Sequence, residues 1–418
     1  MTLYKVLEMI NLGIGVIFMV CYAYQFFYIF WALVKKPIKH DNKEMHKFAV
    51  MIAARNEENV IGNLLDSLNA QTYPSELYDI YVIADNCTDE TAKAAAEHGA
   101  TVFERQNTEF VGKGYAMQHL FGKVMALKGN EYYDGYFIFD ADNLLDKHFI
   151  EEMNKAFYGD NRIITCYRNS KNYGDNWVSS GYALWFLREA KFLNNPRYTL
   201  GTSCAVSGTG FLIHRDIINR NGGWKHFLLT EDIEFTIDSI LHGEKIGYCH
   251  DAVLYDEQPT KFSQSWSQRM RWAKGYLQVF MNYGGKMLKG IFKKRGFACF
   301  DMTMNILPAV VFTVLGLIIN AAMLIISIVT GNFTINLLLT ALLQLLSSAY
   351  VLMFVIGLIT ALSEWKNIHC STGRKILSIF TFPIFMISYI PIAIAAFFKK
   401  VEWKQIEHTV DLSINDIK

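Results

Sequence analysis

An α/β domain with a mostly parallel sheet flanked by helices, joined to transmembrane α-helices on both sides, is the fold class this sequence predicts. Two observations predict it. Apolar residues make up 52% of 418 residues and gather in four long runs, at residues 10–34, about 304–329, 335–362 and 376–398. Each run exceeds the roughly 20 residues needed to cross the hydrocarbon of a bilayer. Between the first two runs, charged and apolar residues mix as in a water-soluble domain, and short apolar runs alternate with segments of helical periodicity.

The first run is too long for the apolar core of a secretory leader, and no small-residue cleavage site stands before Lys35-Lys36-Pro37, so residues 1–36 read as an uncleaved anchor. Lys35, Lys36, Lys39, Lys43 and Lys47 follow that anchor while only Lys5 precedes it, a bias that sets the middle domain in the cytoplasm of a multi-pass protein of the cell membrane. Three further crossings would carry the C-terminus outside, yet Lys399, Lys400 and Lys404 follow the last run. Pro383 and Pro391 in that run leave two readings open, a crossing or a segment that dips in and returns.

The net charge of +1 gives no footprint for nucleic acid, and the basic cluster from Lys286 to Arg295 faces lipid headgroups in this reading. Seven scattered cysteines show no metal-ligand spacing, and a cytoplasmic domain keeps thiols reduced, so no disulfide is expected.

Within the middle domain, residues 48–54 form a continuous apolar run, followed by Val60, Ile61, Leu64, Leu65 and Leu68 at helical spacing. Residues 80–84 form a second strand, a helix covers residues 90–97, and strands follow at 101–103 and 136–139. Such alternation predicts parallel strands, and ligands of such sheets bind beyond the strands' carboxyl ends, where this chain puts its polar clusters.

Asp140 and Asp142 stand two apart at the end of the fourth run, so in extended geometry both point to one side, a donor pair suited to Mg²⁺ or Mn²⁺. A solvated turn with two acids is the plainer alternative. Asp85 and Asp89 either accept hydrogen bonds from a base and ribose or serve as turn and cap residues. Gly112-Lys113-Gly114 offers an ammonium on a flexible backbone, without the spacing of a nucleotide P-loop. Thr230-Glu231-Asp232 opens a helix over residues 233–241, as a capping box or as a source of a general base. Gln268-Arg269-Met270-Arg271-Trp272 supplies two guanidinium groups and an indole, fit for a diphosphate and a sugar face or for a membrane interface.

Taken in order, Asp85, Asp140-Ala141-Asp142, Thr230-Glu231-Asp232 and Gln268-Arg269-Met270-Arg271-Trp272 resemble the D, DxD, TED, QxxRW series of membrane-integrated family 2 glycosyltransferases. That group includes cellulose, chitin, hyaluronan and poly-N-acetylglucosamine synthases, and the resemblance covers about residues 45–280. It implies a GT-A-like nucleotide-diphospho-sugar transferase domain. It also implies that Ala53, Glu57 and Asp85 cradle the uridine, that Lys113 lies near the diphosphate, that Asp140 binds the nucleotide side and that Asp142 holds the metal. Asp232, beside Glu231, becomes the general base; Arg271 joins the donor site, and Gln268, Arg269 and Trp272 the acceptor site. One departure is Val206-Ser207-Gly208-Thr209-Gly210-Phe211, where cellulose synthases carry a Phe-Phe-Cys-Gly-Ser type segment, which weakens an assignment to cellulose.

The organisation that follows is an anchor (1–36), a cytoplasmic GT-A domain (37–264), interfacial helices (265–302), a C-terminal transmembrane block (303–398) and a tail (399–418). The expected reaction is inverting transfer from UDP-glucose or UDP-N-acetylglucosamine to a growing β-linked glycan, or a single transfer to a lipid or short acceptor. Four apolar runs are few for a complete export channel, so a processive enzyme calls for a homo-oligomer or an export partner. A silent nucleotide-sugar sensor is a third reading, opposed by the retained acids.

Overall fold

The computed structural model describes residues 3–417 except positions 295, 307, 332–334, 402–407 and 409. Eight strands form one sheet: β1 (Phe48–Ala54), β2 (Tyr78–Asp85), β3 (Thr101–Arg105), β4 (Gly135–Asp140), β5 (Leu144–Leu145), β6 (Ile163–Ser170), β7 (Phe211–His214) and β8 (Ile246–Asp256). Their order is β3-β2-β1-β4-β7-β6-β8-β5. The four strands and the helices foreseen in the first half of the domain are present, with helices at Ile61–Asn69 and Thr91–Glu97. The sheet is nevertheless mixed: β3, β2, β1 and β4 run parallel, whereas β7 is antiparallel to both β4 and β6. The reversal arises because the chain enters β7 from the Ser207–Gly210 turn at the site's edge and runs back through the sheet.

β1 is buried almost throughout because helices cover both faces. Ala49 and Met51 face Met117, Leu120 and Phe121 of the helix Lys113–Lys128, while Val50 and Ile52 face Leu64, Leu65 and Leu68 of Ile61–Asn69. At roughly 1.5–3 kcal/mol per buried aliphatic or aromatic side chain, these two layers dominate the domain's stability.

The helix Leu3–Val34 is tied to the domain by a buried polar knot. Arg197 and Asp301, both 0% exposed, pair through two bonds of 2.7 and 2.8 Å. Tyr24 and Tyr28 donate their hydroxyls to the same carboxylate at 2.9 and 3.0 Å. Asp301 lies on the helix Gly296–Ile306, so one carboxylate joins the first helix, the sheet domain and the start of the C-terminal block.

Three described helices are long and apolar enough to cross a membrane: Met9–Val34, Leu346–Ser363 and Thr372–Phe398. The run at 304–329 crosses position 307, outside the described residues; its described part is the helix Pro308–Val329. The last run is two helices, Thr372–Ile387 and Tyr389–Phe398, jointed at Ser388. Just before this pair, Tyr167 and Lys191 of the sheet domain bond Glu364. Beyond it, Val410 of the tail contacts Lys171 and Glu257 of the same domain.

Removing one member of a buried pair leaves the other charged and unsolvated, at a cost of roughly 3–5 kcal/mol. Asp301→Ala is therefore expected to lower the melting temperature of the detergent-solubilised protein by at least about 5 °C. A melt within about 1 °C of wild type would show that the knot carries little stability.

Candidate functional site

β1 and β4 run in register, with Ala53 opposite Asp140, and β2 ends beside them at Asp85. Three parallel strands thus deliver their carboxyl ends to one edge. Asp85 is buried and forms an ion pair with Arg105 of β3. Asn56 and Asn86, both at φ 54°, turn the chain out of β1 and β2. Asp140 meets the Lys113 ammonium, and its backbone N–H is shared by Thr209 Oγ1 at 3.0 Å and Asn143 Oδ1 at 3.1 Å. Burial works against the Lys113 charge, but Asp140 and then Glu231 outweigh it and leave the pKa raised.

Lys113 sits where it does because Gly114 allows a close approach. A Cβ on Gly114 would lie 2.2 Å from the His226 carbonyl oxygen, so the helix start is pressed against the segment leading to Thr230. The glycine acts by its size here, beyond any flexibility it lends the loop.

Lys113 Nζ also donates to the Gly208 carbonyl at 2.7 Å. Gly208 has φ 79°, a region that side chains other than glycine rarely adopt. A Cβ built there would stand 3.7 Å from Asp232 Oδ2 and 3.8 Å from Asp140 Oδ2. The two acids therefore face a cradle that stays open because position 208 has no side chain.

Glu231 and Asp232 occupy the first turn of the helix Glu231–Leu241, where the helix dipole favours negative charge. Thr230, at the cap position, makes no capping hydrogen bond, so the capping-box alternative does not hold. Burial, then the neighbouring Asp232, pushes the Glu231 carboxyl up to about 7, against Lys113 and Arg271. Burial raises Asp232 as well.

The extended reading of Asp140 and Asp142 fails locally. The chain turns at Asp140, whose carbonyl accepts from the Asn143 N–H at 3.3 Å, and the two carboxylates find different partners. Asp142, 4% exposed, lies beside Asn143 and 3.7 Å from His408 Nε2. Burial pushes it up to about 8, with Asp256 and Asp140 adding and His408 opposing. His408 Nδ1 lies 2.9 and 3.0 Å from the Glu57 oxygens. Burial opposes the imidazolium, yet Asp142 and Glu57 hold its pKa up to about 10.

Among the described residues no group of three or more His, Cys, Asp or Glu side chains converges as a metal cage. Asp142, raised by burial and then by Asp256 and Asp140, offers with Asp140 carboxylate oxygens of the kind that suits a hard cation, so the residues fit Mg²⁺ or Mn²⁺ with its remaining positions filled by other oxygens.

The helix Phe262–Gly290 brings the last motif. Arg271 donates to the Leu229 carbonyl at 2.9 Å, next to Thr230-Glu231-Asp232. Gln268 has a buried Oε1 with no hydrogen-bond partner among the described residues. Trp272 packs edge-on to Tyr182 at 5.7 Å and near Phe186 at 6.3 Å. Arg269 is turned away to the helix joint, bonding the Phe385 carbonyl and Ser388 Oγ at 3.0 Å each.

Residues 46–275, more than half of the chain, match the family model described as glycosyltransferase like family 2. The chain belongs to glycosyltransferase family 2. The β-monoglucosyldiacylglycerol synthase of a Nostoc species is 26% identical over 281 residues, covering 62% of this chain and 56% of that one. The poly-β-1,6-N-acetyl-D-glucosamine synthase of Staphylococcus epidermidis is 24% identical over 258 residues, covering 58% of this chain and 58% of that one. The chain thus spans about 60% of the length of the curated relatives it matches. A mannosyltransferase from Pyrobaculum calidifontis, solved in complex with GDP-Man and Mn²⁺, superposes with a TM-score of 0.60 at 17% identity, covering 93% of this chain and 98% of that one. The fold is accordingly GT-A-like.

Several residues of this family 2 site have no motif to announce them. Gly208 and Thr209 appear in the sequence only as a departure from cellulose synthases; two glycines in Ser207-Gly208-Thr209-Gly210 were the available signal. Arg105, Arg168 and Lys171 neutralise Asp85, Asp256 and Glu257 from neighbouring strands or loops, and His408 comes from the tail.

Gly208→Ala places a methyl group in the cradle and strains the backbone by roughly 1–2 kcal/mol. The expected outcome is a roughly tenfold or greater loss of donor turnover with a melting temperature lowered by only about 2–8 °C. Unchanged turnover would mean that the substrate does not pass between Asp140 and Asp232.

Proposed function

We propose that this transferase moves a hexose from UDP-glucose or UDP-N-acetylglucosamine to an acceptor hydroxyl by a single inverting displacement at the membrane. The observation that carries this reading is the open cradle at Gly208, with Asp232 on one side and Asp140, held by Lys113, on the other. The mannosyltransferase of like fold described with GDP-Man supports a nucleotide-sugar donor.

In this reading Asp232 accepts the proton of the acceptor hydroxyl while that oxygen attacks the anomeric carbon. The bond from that carbon to the diphosphate oxygen breaks, and UDP departs with the electron pair. Burial raises the affinity of Asp232 for a proton, which suits a base working near neutral pH. Lys113 and Arg271 provide positive charge beside Asp140 and Glu231 where a diphosphate would gather its negative charge. Asp142, with Asp140, would hold Mg²⁺ or Mn²⁺, which supplies further countercharge to the diphosphate. Ala53, Glu57 and Asp85 line the nucleoside end, Arg105 fixing the Asp85 carboxylate. Gln268 and Trp272 serve the acceptor, the Gln268 oxygen offering an unused hydrogen-bond acceptor. Arg269 acts at one remove, by holding the joint at Ser388. Inversion of an α-linked donor gives a β-linked product.

The contacts of Glu364 and Val410 with the catalytic domain support a C-terminal helix pair that dips into the membrane and returns, with the tail on the domain's side. The lysines after the first helix make that side cytoplasmic. Few crossings favour single transfer to a lipid or short acceptor by one chain; extension of a glycan would call for a second copy or an export partner. A fluorescent protein fused after Lys418 is expected to fluoresce in the cytoplasm, and periplasmic or extracellular activity of an alkaline phosphatase fusion at that position would reject the return.

Incubating purified protein with UDP-sugars and Mn²⁺ should release UDP from one donor. Asp232→Asn should cut that release by roughly 10²–10⁴-fold. Sizing the product separates a single β-linked adduct from a polymer; an α-linked product, or undiminished turnover in Asp232→Asn, rejects the mechanism.

A further inference from the structure

Beside the floor of the cradle lies a small recess that the transfer chemistry leaves unused. It is lined by Thr165 and Arg168 of β6, by Phe186 and Glu189, and by Ser207 and Thr209, the neighbours of Gly208. There is room in it for about one water-sized group. Glu189 stands where the helix that packs on β6 changes pitch: Trp177–Arg188 is α-helical, and Glu189–Asn194 continues as a π-helical turn. Such turns insert an extra residue into an α-helix and recur at functional sites.

The other polar groups of the recess are already committed. The Arg168 guanidinium pairs with Asp256, donates to the Ser207 carbonyl at 2.7 Å and lies 3.8 Å over the Phe186 ring. Thr209 Oγ1 bonds Asn143 and accepts from the Asp140 N–H. Ser207 Oγ donates to Glu189 Oε1. Among the described residues the second oxygen of Glu189 takes no hydrogen bond, and its carboxylate has no ion pair. A half-buried carboxylate thus keeps an unused acceptor oxygen beside a serine hydroxyl. A neutral hydroxyl finds no stronger partner, because charge-assisted hydrogen bonds are roughly twice as strong as neutral ones.

Three observations put the recess on the acceptor side. Phe186 in its wall also packs near Trp272, assigned above to the acceptor, at 6.3 Å. Burial, then Tyr389, Asp232 and Glu189, raise the pKa of Tyr276, so this residue of the helix Phe262–Gly290 lies within electrostatic reach of both acids. Ser207 directly precedes Gly208, whose open side Asp232 faces. We propose that Glu189, with Ser207, binds a second hydroxyl of the acceptor beside the one that loses its proton to Asp232, so that the acceptor ends in a sugar rather than in a lone alcohol. This rests on the donor and base assignments given above. An acceptor with one hydroxyl spends it at Asp232 and leaves Glu189 desolvated without a partner, and sites built to bond a hydroxyl reject analogues that lack it.

The test uses full-length protein in a detergent without sugar, with UDP-glucose or UDP-N-acetylglucosamine and Mn²⁺. The acceptor probes are octyl β-glucoside, its monodeoxy analogues, and dioctanoylglycerol with its single hydroxyl. The expected result is transfer to octyl β-glucoside and at least about tenfold less to dioctanoylglycerol. Loss of one hydroxyl other than the attacked one should raise the wild-type acceptor KM roughly tenfold, and Glu189→Ala should raise it by a similar factor while the donor KM moves less than about twofold. In Glu189→Ala the same deoxy analogue should bring no further loss, because the carboxylate and the hydroxyl act as a pair. Glu189→Gln, which keeps an oxygen for the Ser207 hydroxyl, replaces the alanine variant if that one melts low. Equal transfer to dioctanoylglycerol, no such hydroxyl, or losses that simply add would overturn the proposal and leave Glu189 as an anchor of Ser207. Transfer to neither probe with UDP release retained would overturn it too. Absence of UDP release from both donors would remove the donor reading itself, a result distinct from the others.

Discussion

Buried negative charge is the constraint on which the rest of this structure depends. Asp85, Asp142, Asp256, Glu57 and Glu257 are buried at one edge of a sheet beside the partly exposed Asp140, and Lys113 interacts with Asp140, Glu231 and Asp232 together. Carboxylates withdrawn from water cost several kcal/mol each unless they are paired or protonated. Arg105, Lys113, Arg168 and Lys171 pair with Asp85, Asp140, Asp256 and Glu257. Asp142 and Glu57 take His408, and Glu231 answers partly by a raised pKa. The acids at this edge are therefore partly neutralised by cations from four segments: β3, the helix Lys113–Lys128, the end of β6 and the tail.

The same constraint explains the sheet's mixed character. Parallel strands deliver side chains to one edge, but a fully parallel sheet would have to cross back outside it after every strand. β7 instead returns through the sheet, and the turn that feeds it, Ser207 to Gly210, becomes the floor of the cradle. The Gly208 carbonyl holds Lys113 and Thr209 holds Asp140 and Asn143, so the segment least like the cellulose synthases is the one that orders the central acids.

The helices outside the sheet domain meet it through apolar packing, Phe385 against Tyr182 among it, and through specific polar contacts. The Arg197–Asp301 pair with Tyr24 and Tyr28 fixes the first helix, and Arg269 fixes the joint between the last two. Buried polar networks of this kind specify one arrangement because every alternative leaves a charge unpaired. Arg269 thus bonds the joint of the last helix pair, while Arg271, two residues on and turned to another face of the helix, bonds the Leu229 carbonyl next to Thr230-Glu231-Asp232.

The sequence by itself determined the α/β domain between long apolar helices, the first four strands and the acids at their carboxyl ends, because apolar periodicity and the carboxyl ends of parallel strands are local properties read from neighbouring residues. Asp140, Asp142 and Asp232 were legible for that reason, and their order identified the family. Only the tertiary structure decided which cation answers which acid, that Asp140 and Asp142 part company at a turn, and that Arg269 bonds the helix joint at Ser388. It alone brought His408 to Glu57, 351 positions apart in the chain. Such pairings obey Coulomb energy at contact distance, which depends on where the backbone returns and leaves no period or spacing in the sequence.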